Sequence, residues 1–377
     1  MNHDLSAKLL RWREAGVVDG PTASRIEAFE AEDENSSILG WPVKVAIAFG
    51  TLMVGAGVLL FVAAHWDRLS PSARFGSVLA MIGFFHGAGA YFTERFPKLS
   101  IAMHCLGTLA LGAGIFLAGQ IFNLEEHWPG GIMLWAAGAW IGYALLRDWV
   151  HGVLAALLTP IWLTGEWIEA TKVFDNRSSA ITLAVGVLLL AIAYLSARRD
   201  DRDRALRQGL GWIGGIALIP AALVVVVLTH EAWDVYMPAG PFPGGLALAG
   251  WSAAIAIPLG LSFFLCGREA WTSAIAMAWG VLLAFLHPEQ VVYLWCGVGA
   301  VGLVAWGLRG GRPERINLGV TGFAFTVLSF YFSNVMDKLG RSLGLVGLGA
   351  LFLLVGWALE RTRRRLLVQI AGAGGAV

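Results

Sequence analysis

The chain has 377 residues, 57% of them hydrophobic and only 14% charged, and its mean hydropathy is +0.67. Soluble domains carry about 25% charged residues, so a water-soluble globular protein is excluded and bilayer-spanning helices make up the bulk of the chain. A formal charge of +1, with no basic patch interleaved with aromatics, gives nucleic acid no electrostatic footprint, and membrane lipids are the expected partner.

Residues 1–40 are polar. Leu5, Leu9 and Trp12 recur at near-helical spacing, and Gly16 is placed to stop that helix. Asp19-Gly20-Pro21 reads as the cap, turn and first-turn proline of a second helix, with Ala23, Ile26, Ala28 and Phe29 available to pack. A cytosolic helical hairpin is expected, folded on itself or on the membrane surface, or serving as a docking module for a protein partner. No cleavable leader is expected from so polar an opening.

The first apolar run, 45–65, carries no charge and ends abruptly in His65, Trp66, Asp67 and Arg68. A run of about 20 residues matches the ~30 Å hydrocarbon core, and Trp followed by charge marks a helix leaving lipid. The pattern repeats to give about twelve spans: 45–65, 75–92, 99–122, 131–146, 149–165, 179–196, 208–229, 246–266, 270–286, 291–308, 316–335 and 343–359. The fourth and fifth, short and joined at Arg147-Asp148, read either as two crossings or as one re-entrant pair. The eighth and ninth meet as tightly at Arg268-Glu269. With the N-terminus inside, 21 of the 27 Lys and Arg fall on the cytosolic side, as the positive-inside rule requires. An even span number puts both termini in the cytosol, with Arg361–Arg365 as a basic end. The expected fold is therefore an all-α, polytopic inner-membrane bundle with a small N-terminal hairpin.

Gly50-Thr51-Leu52 with Gly55-Ala56-Gly57 returns as Gly107-Thr108-Leu109 with Gly112-Ala113-Gly114, which suggests a repeated helical hairpin. Gly83–Gly87 and Gly211–Gly215 have the small-xxx-small spacing that lets helix backbones approach. Pro160, Pro220 and Pro258 are expected to kink their spans.

Three stretches carry a family resemblance: Leu10 to Val18 (LRWREAGVV), Ala63 to Phe75 with its His65-Trp66-Asp67, and Gly112 to Leu124 (GAGIFLAGQIFNL) followed by Trp135. Together, over about residues 1–170, they resemble bacterial predicted membrane proteins of domain-of-unknown-function family twenty-one fifty-seven. That family more often has Asn where this chain has His65. The resemblance implies the N-terminal hairpin and the membrane region, and implies no activity. Three segments follow: 1–40, the hairpin; 41–170, the family-like membrane region; and 171–377, further spans with the basic end.

No Asp, Glu, Lys or Arg falls in the middle of a span, although ion-coupled carriers usually keep one there. His86 and His104 lie within spans and are expected to be hydrogen-bonded inside the bundle rather than to form a proton relay. Under the assigned topology the outward helix ends collect polar groups. His65, Trp66, Asp67, Gln120, Asn123, Glu166, His230 and Glu231 form a speculative binding cluster, joined by His127, Glu169, His287 and Asp337. Interface polarity alone also explains them. His230-Glu231-Ala232-Trp233-Asp234 approaches a zinc-protease HExxH but lacks the second imidazole. Cys105, Cys266 and Cys296 have no metal-ligand spacing. Nucleophile-elbow, Walker, dinucleotide and haem motifs are absent, so no cofactor, metal site or catalytic residue is assigned. The leading expectation is a non-catalytic scaffold, sensor or assembly component. The alternatives are a transporter or lipid-substrate carrier with an outward polar cavity, and an enzyme acting on envelope lipids or glycans.

Overall fold

The computed structural model describes residues 9, 12–13, 15–26, 70–122, 127–198, 203–230, 243–287 and 289–335, with isolated positions within 49–57 and 349–357. The expected first and last spans, 45–65 and 343–359, therefore lie outside the described residues. The fold is all-α, and no strand occurs among the described residues. Two compact units are present, Met1–Glu125 and Glu126–Val377.

In the first unit, the N-terminal segment stops and restarts as its sequence dictates. Val17 N–H donates to Trp12 O at 2.9 Å and Gly16 N–H to Arg13 O at 3.2 Å. This is the two-bond Schellman stop, with Gly16 at φ 69°, where a side chain would be strained. Asp19 then caps the helix over 20–26 by accepting from Thr22 N–H at 2.9 Å. Leu9 and Ala23 are buried.

The membrane part of this unit is a hairpin of α1 (Pro71–Phe92) and α2 (Pro97–Phe122). Ser70 caps α1 and Pro71 fills its first turn. The helices run antiparallel, because 78 meets 114 and 86 meets 104. The imidazoles of His86 and His104 hydrogen-bond through their Nδ1 atoms at 3.0 Å. Each ring lies against a glycine of the facing helix: a Cβ on Gly89 would come within 2.7 Å of His104, and one on Gly107 within 2.6 Å of His86. Ser100 and Thr93 both donate to Gly89 O, at 2.7 and 3.0 Å. Backbone and side-chain polarity in lipid is thus satisfied within the hairpin. Gly83 and Gly87 have no described neighbour within 4 Å of a built Cβ. The seam between α1 and α2 runs through Gly89, Gly107 and Gly114.

The second unit contains α3 (Trp128–Leu146), α4 (Trp149–Thr171), α5 (Arg177–Ser196), α6 (Arg204–Thr229), α7 (Gly244–Cys266), α8 (Ala270–Leu283), α9 (Glu289–Arg309) and α10 (Pro313–Phe330). At 19 and 23 residues, α3 and α4 are each long enough to cross, as two full crossings require. Arg147, at φ 52°, closes α3, and Asp148 opens α4 by accepting from His151 N–H at 2.9 Å. The Asp148 carboxylate also meets His151 Nδ1 at 2.7 Å, and His151 is fully buried. Among the described residues nine helices are long and apolar enough to cross a membrane. The expected ninth span is only the 14-residue α8, about 21 Å long.

Two-thirds of the apolar window of α5 is buried, against a third or less in the other candidate spans. Its sequence is apolar on every face, as a helix surrounded by helices requires. Val185, Leu188, Leu189 and Ile192 form the core, with Leu218 and Val225 of α6 and Met277 and Leu283 of α8. The closest backbone approach is at Gly214 of α6, where a Cβ would lie 2.6 Å from Leu195 N and 3.1 Å from Tyr194 Cβ. Gly211 has nothing within 4 Å among the described residues and Gly215 meets only side chains. The contact glycine is again one the expected pair misses. Pro160, Pro220 and Pro258 sit inside continuous helices.

Candidate functional site

Arginines secure one end of the second unit. The last carbonyls of a helix have no intrahelical donor and need one, above all out of water. Arg315 donates from Nη2 to Leu195 O at 2.8 Å, and Arg312 from Nη2 to Ala197 O at 2.9 Å, both at the C-terminus of α5. Arg207 does the same for α7, donating from Nη1 to Leu265 O at 2.8 Å. The Arg315 guanidinium also lies 3.9 Å from the centroid of the Trp306 ring. These cations favour the negative ends of two helix dipoles. At the opposite end Arg177 donates to Leu228 O at 2.6 Å and His230 O at 3.0 Å, closing α6.

Between those two ends lies a cavity of about 780 Å³, walled by α5, α6, α8, α9 and α10. This is within the ~300–1,000 Å³ of small-molecule sites. Its lining is almost wholly apolar, including Leu218, Val226, Trp279, Leu303 and Phe325. Along α9 it runs from Tyr293 to Arg309, which at ~1.5 Å per residue is about 24 Å of depth. One wall is rigid by construction. Trp279 Nε1–H donates to Trp295 O at 2.9 Å, and Trp295 Nε1–H to Trp279 O at 3.0 Å. Gly299 makes room for the Trp279 ring. Polar lining is confined chiefly to the two mouths: His230, Tyr293 and Ser333 at one, with Tyr293 Oη and Ser333 Oγ 3.0 Å apart, and Thr272 and Arg309 at the other. No acidic side chain lines it among the described residues.

Of the residues singled out from sequence, His65, Trp66, Asp67, Asn123 and Glu231 lie outside the described residues. Gln120 is exposed on α2 of the first unit. Glu166 falls inside α4, which extends to Thr171 rather than ending near 165. Its carboxylate meets His127 Nε2 at 2.7 Å and accepts from Trp162 Nε1–H at 2.8 Å. Trp128 donates to Glu169 beside them. His230 ends α6 in extended conformation and lines the cavity. Among the described residues no three of His, Cys, Asp and Glu converge as metal ligands. The cavity itself was not anticipated.

Residues 10–152 match the family described as predicted membrane protein (DUF2157). The match spans the N-terminal segment through the start of α4, and the cavity lies entirely beyond it. No curated protein and no solved structure matches the chain significantly.

Proposed function

We propose that this is a multi-pass protein of the bacterial cytoplasmic membrane that holds an apolar-chain molecule from the bilayer in the second unit and carries out no chemistry on it. The observation that carries the reading is the 780 Å³ cavity, deep, apolar and walled by a hydrogen-bonded tryptophan pair. A space so lined, reaching most of the way along α9, favours a hydrocarbon chain over a polar solute. Its few polar groups sit chiefly at its mouths, and its middle offers no paired acid and base for catalysis. Loop charge supports an orientation with Arg198, Arg207, Arg309, Arg312 and Arg315 in the cytosol, and both chain termini with them.

Gly302 and Gly322 line the cavity, and a Cβ on either would meet nothing within 4 Å. Leucine at these positions fills the space without displacing a wall. Native mass spectrometry of detergent-released protein should show a retained lipid mass on the parent chain and its loss in Gly302→Leu and Gly322→Leu, with thermal unfolding unchanged. Equal retention by all three proteins, or no retained lipid on the parent, overturns the reading.

A further inference from the structure

Resting on the cavity reading above, we infer that the occupant is an anionic lipid whose acidic head group is bound by Arg309 at the arginine-bearing mouth and whose chain runs between α9 and α6 towards His230. Three observations converge. First, Arg309 is the last residue of α9, exposed, and part of the cavity lining. Second, its neighbours in sequence and space are already engaged. Arg312 and Arg315 donate to the C-terminal carbonyls of α5, and Arg207 to that of α7. Arg309 has no hydrogen-bond or ion-pair partner among the described residues. Third, no Asp or Glu is among the described residues that line the cavity, and Glu269 and Glu314 at this end lie against Arg198 and Arg312.

The physical argument is one of matching. A guanidinium at the edge of an apolar slot is placed to form paired hydrogen bonds to a carboxylate or phosphate, bonds about twice as strong as neutral ones. Thr272, whose hydroxyl donates to Glu269 O at 2.8 Å, flanks the same mouth and keeps an oxygen lone pair rather than a free donor there. Recognition of the anion therefore falls to Arg309. At the far mouth His230 O is already taken by Arg177, and Tyr293 and Ser333 bond to each other. That end is built to close over a chain terminus rather than to bind a second head. The tail has about 24 Å of apolar wall, more than the ~15 Å half-thickness of the hydrocarbon core. A long chain is accommodated without reaching the polar residues.

The test uses the full-length protein in neutral detergent, titrated with dioleoyl phosphatidic acid, oleate, dioleoyl phosphatidylcholine and dioleoylglycerol, with occupancy read by native mass spectrometry. The parent chain should retain phosphatidic acid and oleate over phosphatidylcholine and dioleoylglycerol by about tenfold, the ratio supplied at the lower end by one charge-assisted hydrogen bond. Arg309→Gln should bind all four alike, and Gly322→Leu none. Phosphatidic acid retained without oleate assigns a phosphate head, and the reverse a carboxylate. Either outcome supports an anionic occupant. Equal retention of acidic and neutral lipids by the parent, with loss in Gly322→Leu, overturns the head-group assignment while leaving the cavity reading intact. A preference that survives in Arg309→Gln places the anion elsewhere and also overturns it. Retention undiminished in Gly322→Leu overturns the cavity reading itself.

Discussion

Alanine at Gly214 and alanine at Gly211 should change stability in opposite directions, although the two residues are three apart on the same helix. Gly214 faces the backbone of α5: a Cβ there would sit 2.6 Å from Leu195 N, whereas ordinary contact begins near 3.4 Å. Ala191 O lies closer still, so helices α5 and α6 must part by at least about 0.8 Å to admit it, a gap that forfeits a quarter to a half of each dispersion well along the seam. Backbone cannot rotate away as a side-chain tip can, so the cost belongs at the top of the ~1–3 kcal/mol range for overpacking. Alanine's better helix propensity returns about 0.8–1.0 kcal/mol, leaving Gly214→Ala destabilised by about 2 kcal/mol. Gly211 has no described neighbour within 4 Å, so Gly211→Ala keeps the propensity gain of about 0.8–1.0 kcal/mol with no offsetting clash. The predicted difference is about 3 kcal/mol, measurable by reversible unfolding in mixed micelles. Gly214→Ala as stable as Gly211→Ala would refute the close approach. The ranking would then revert to the small-xxx-small spacing, which selects Gly211 and Gly215.

Burial works to raise the Asp148 carboxyl, but hydrogen bonds from the His151 side chain and backbone outweigh it and hold the group below its ordinary value of 3.8. A carboxyl depressed on folding stabilises fully above its unfolded pKa and loses that contribution as pH falls through the folded value. Stability should therefore decline below about pH 3.8, and Asp148→Ala should flatten the decline and cost about 1 kcal/mol at neutral pH through loss of the cap; an unchanged acid limb would contradict the assignment. Arg315→Lys keeps the charge but not the planar fork over Trp306, and should cost about 1–2 kcal/mol in detergent unfolding while a reporter fused after the C-terminus stays in the cytosol.

Composition and hydropathy alone made the class legible. Runs such as 179–196 and 208–229 could only be helices in lipid, and their ends came within a few residues of the observed Arg177–Ser196 and Arg204–Thr229. The N-terminal stop at Gly16 and cap at Asp19 were legible because both act within one turn. What the sequence concealed was rotation about the helix axis. Glycine spacing says that a face is smooth, not that it is the face in use, so Gly83 and Gly87 read like Gly89 and Gly107. The end of α4 was set too early, because Glu166 and Glu169 look like charges beyond the membrane. They extend the helix instead, since His127, Trp162 and Trp128 satisfy them. The cavity was invisible because it is an absence between apolar walls, and apolar residues that line a void look like those that pack.

The arginines show how topology and folding share one set of residues. Counted by sequence, Arg207, Arg312 and Arg315 are positive-inside signals that fix which way the spans enter. In the structure the same side chains terminate α5 and α7, supplying donors to carbonyls that have no intrahelical partner. Charges that bias how the spans enter are thus also the donors that meet the last carbonyls of α5 and α7. Arg309, on the same side but at the mouth of the cavity, lies outside that arrangement and retains its donors, so its role is sought in binding rather than in the fold.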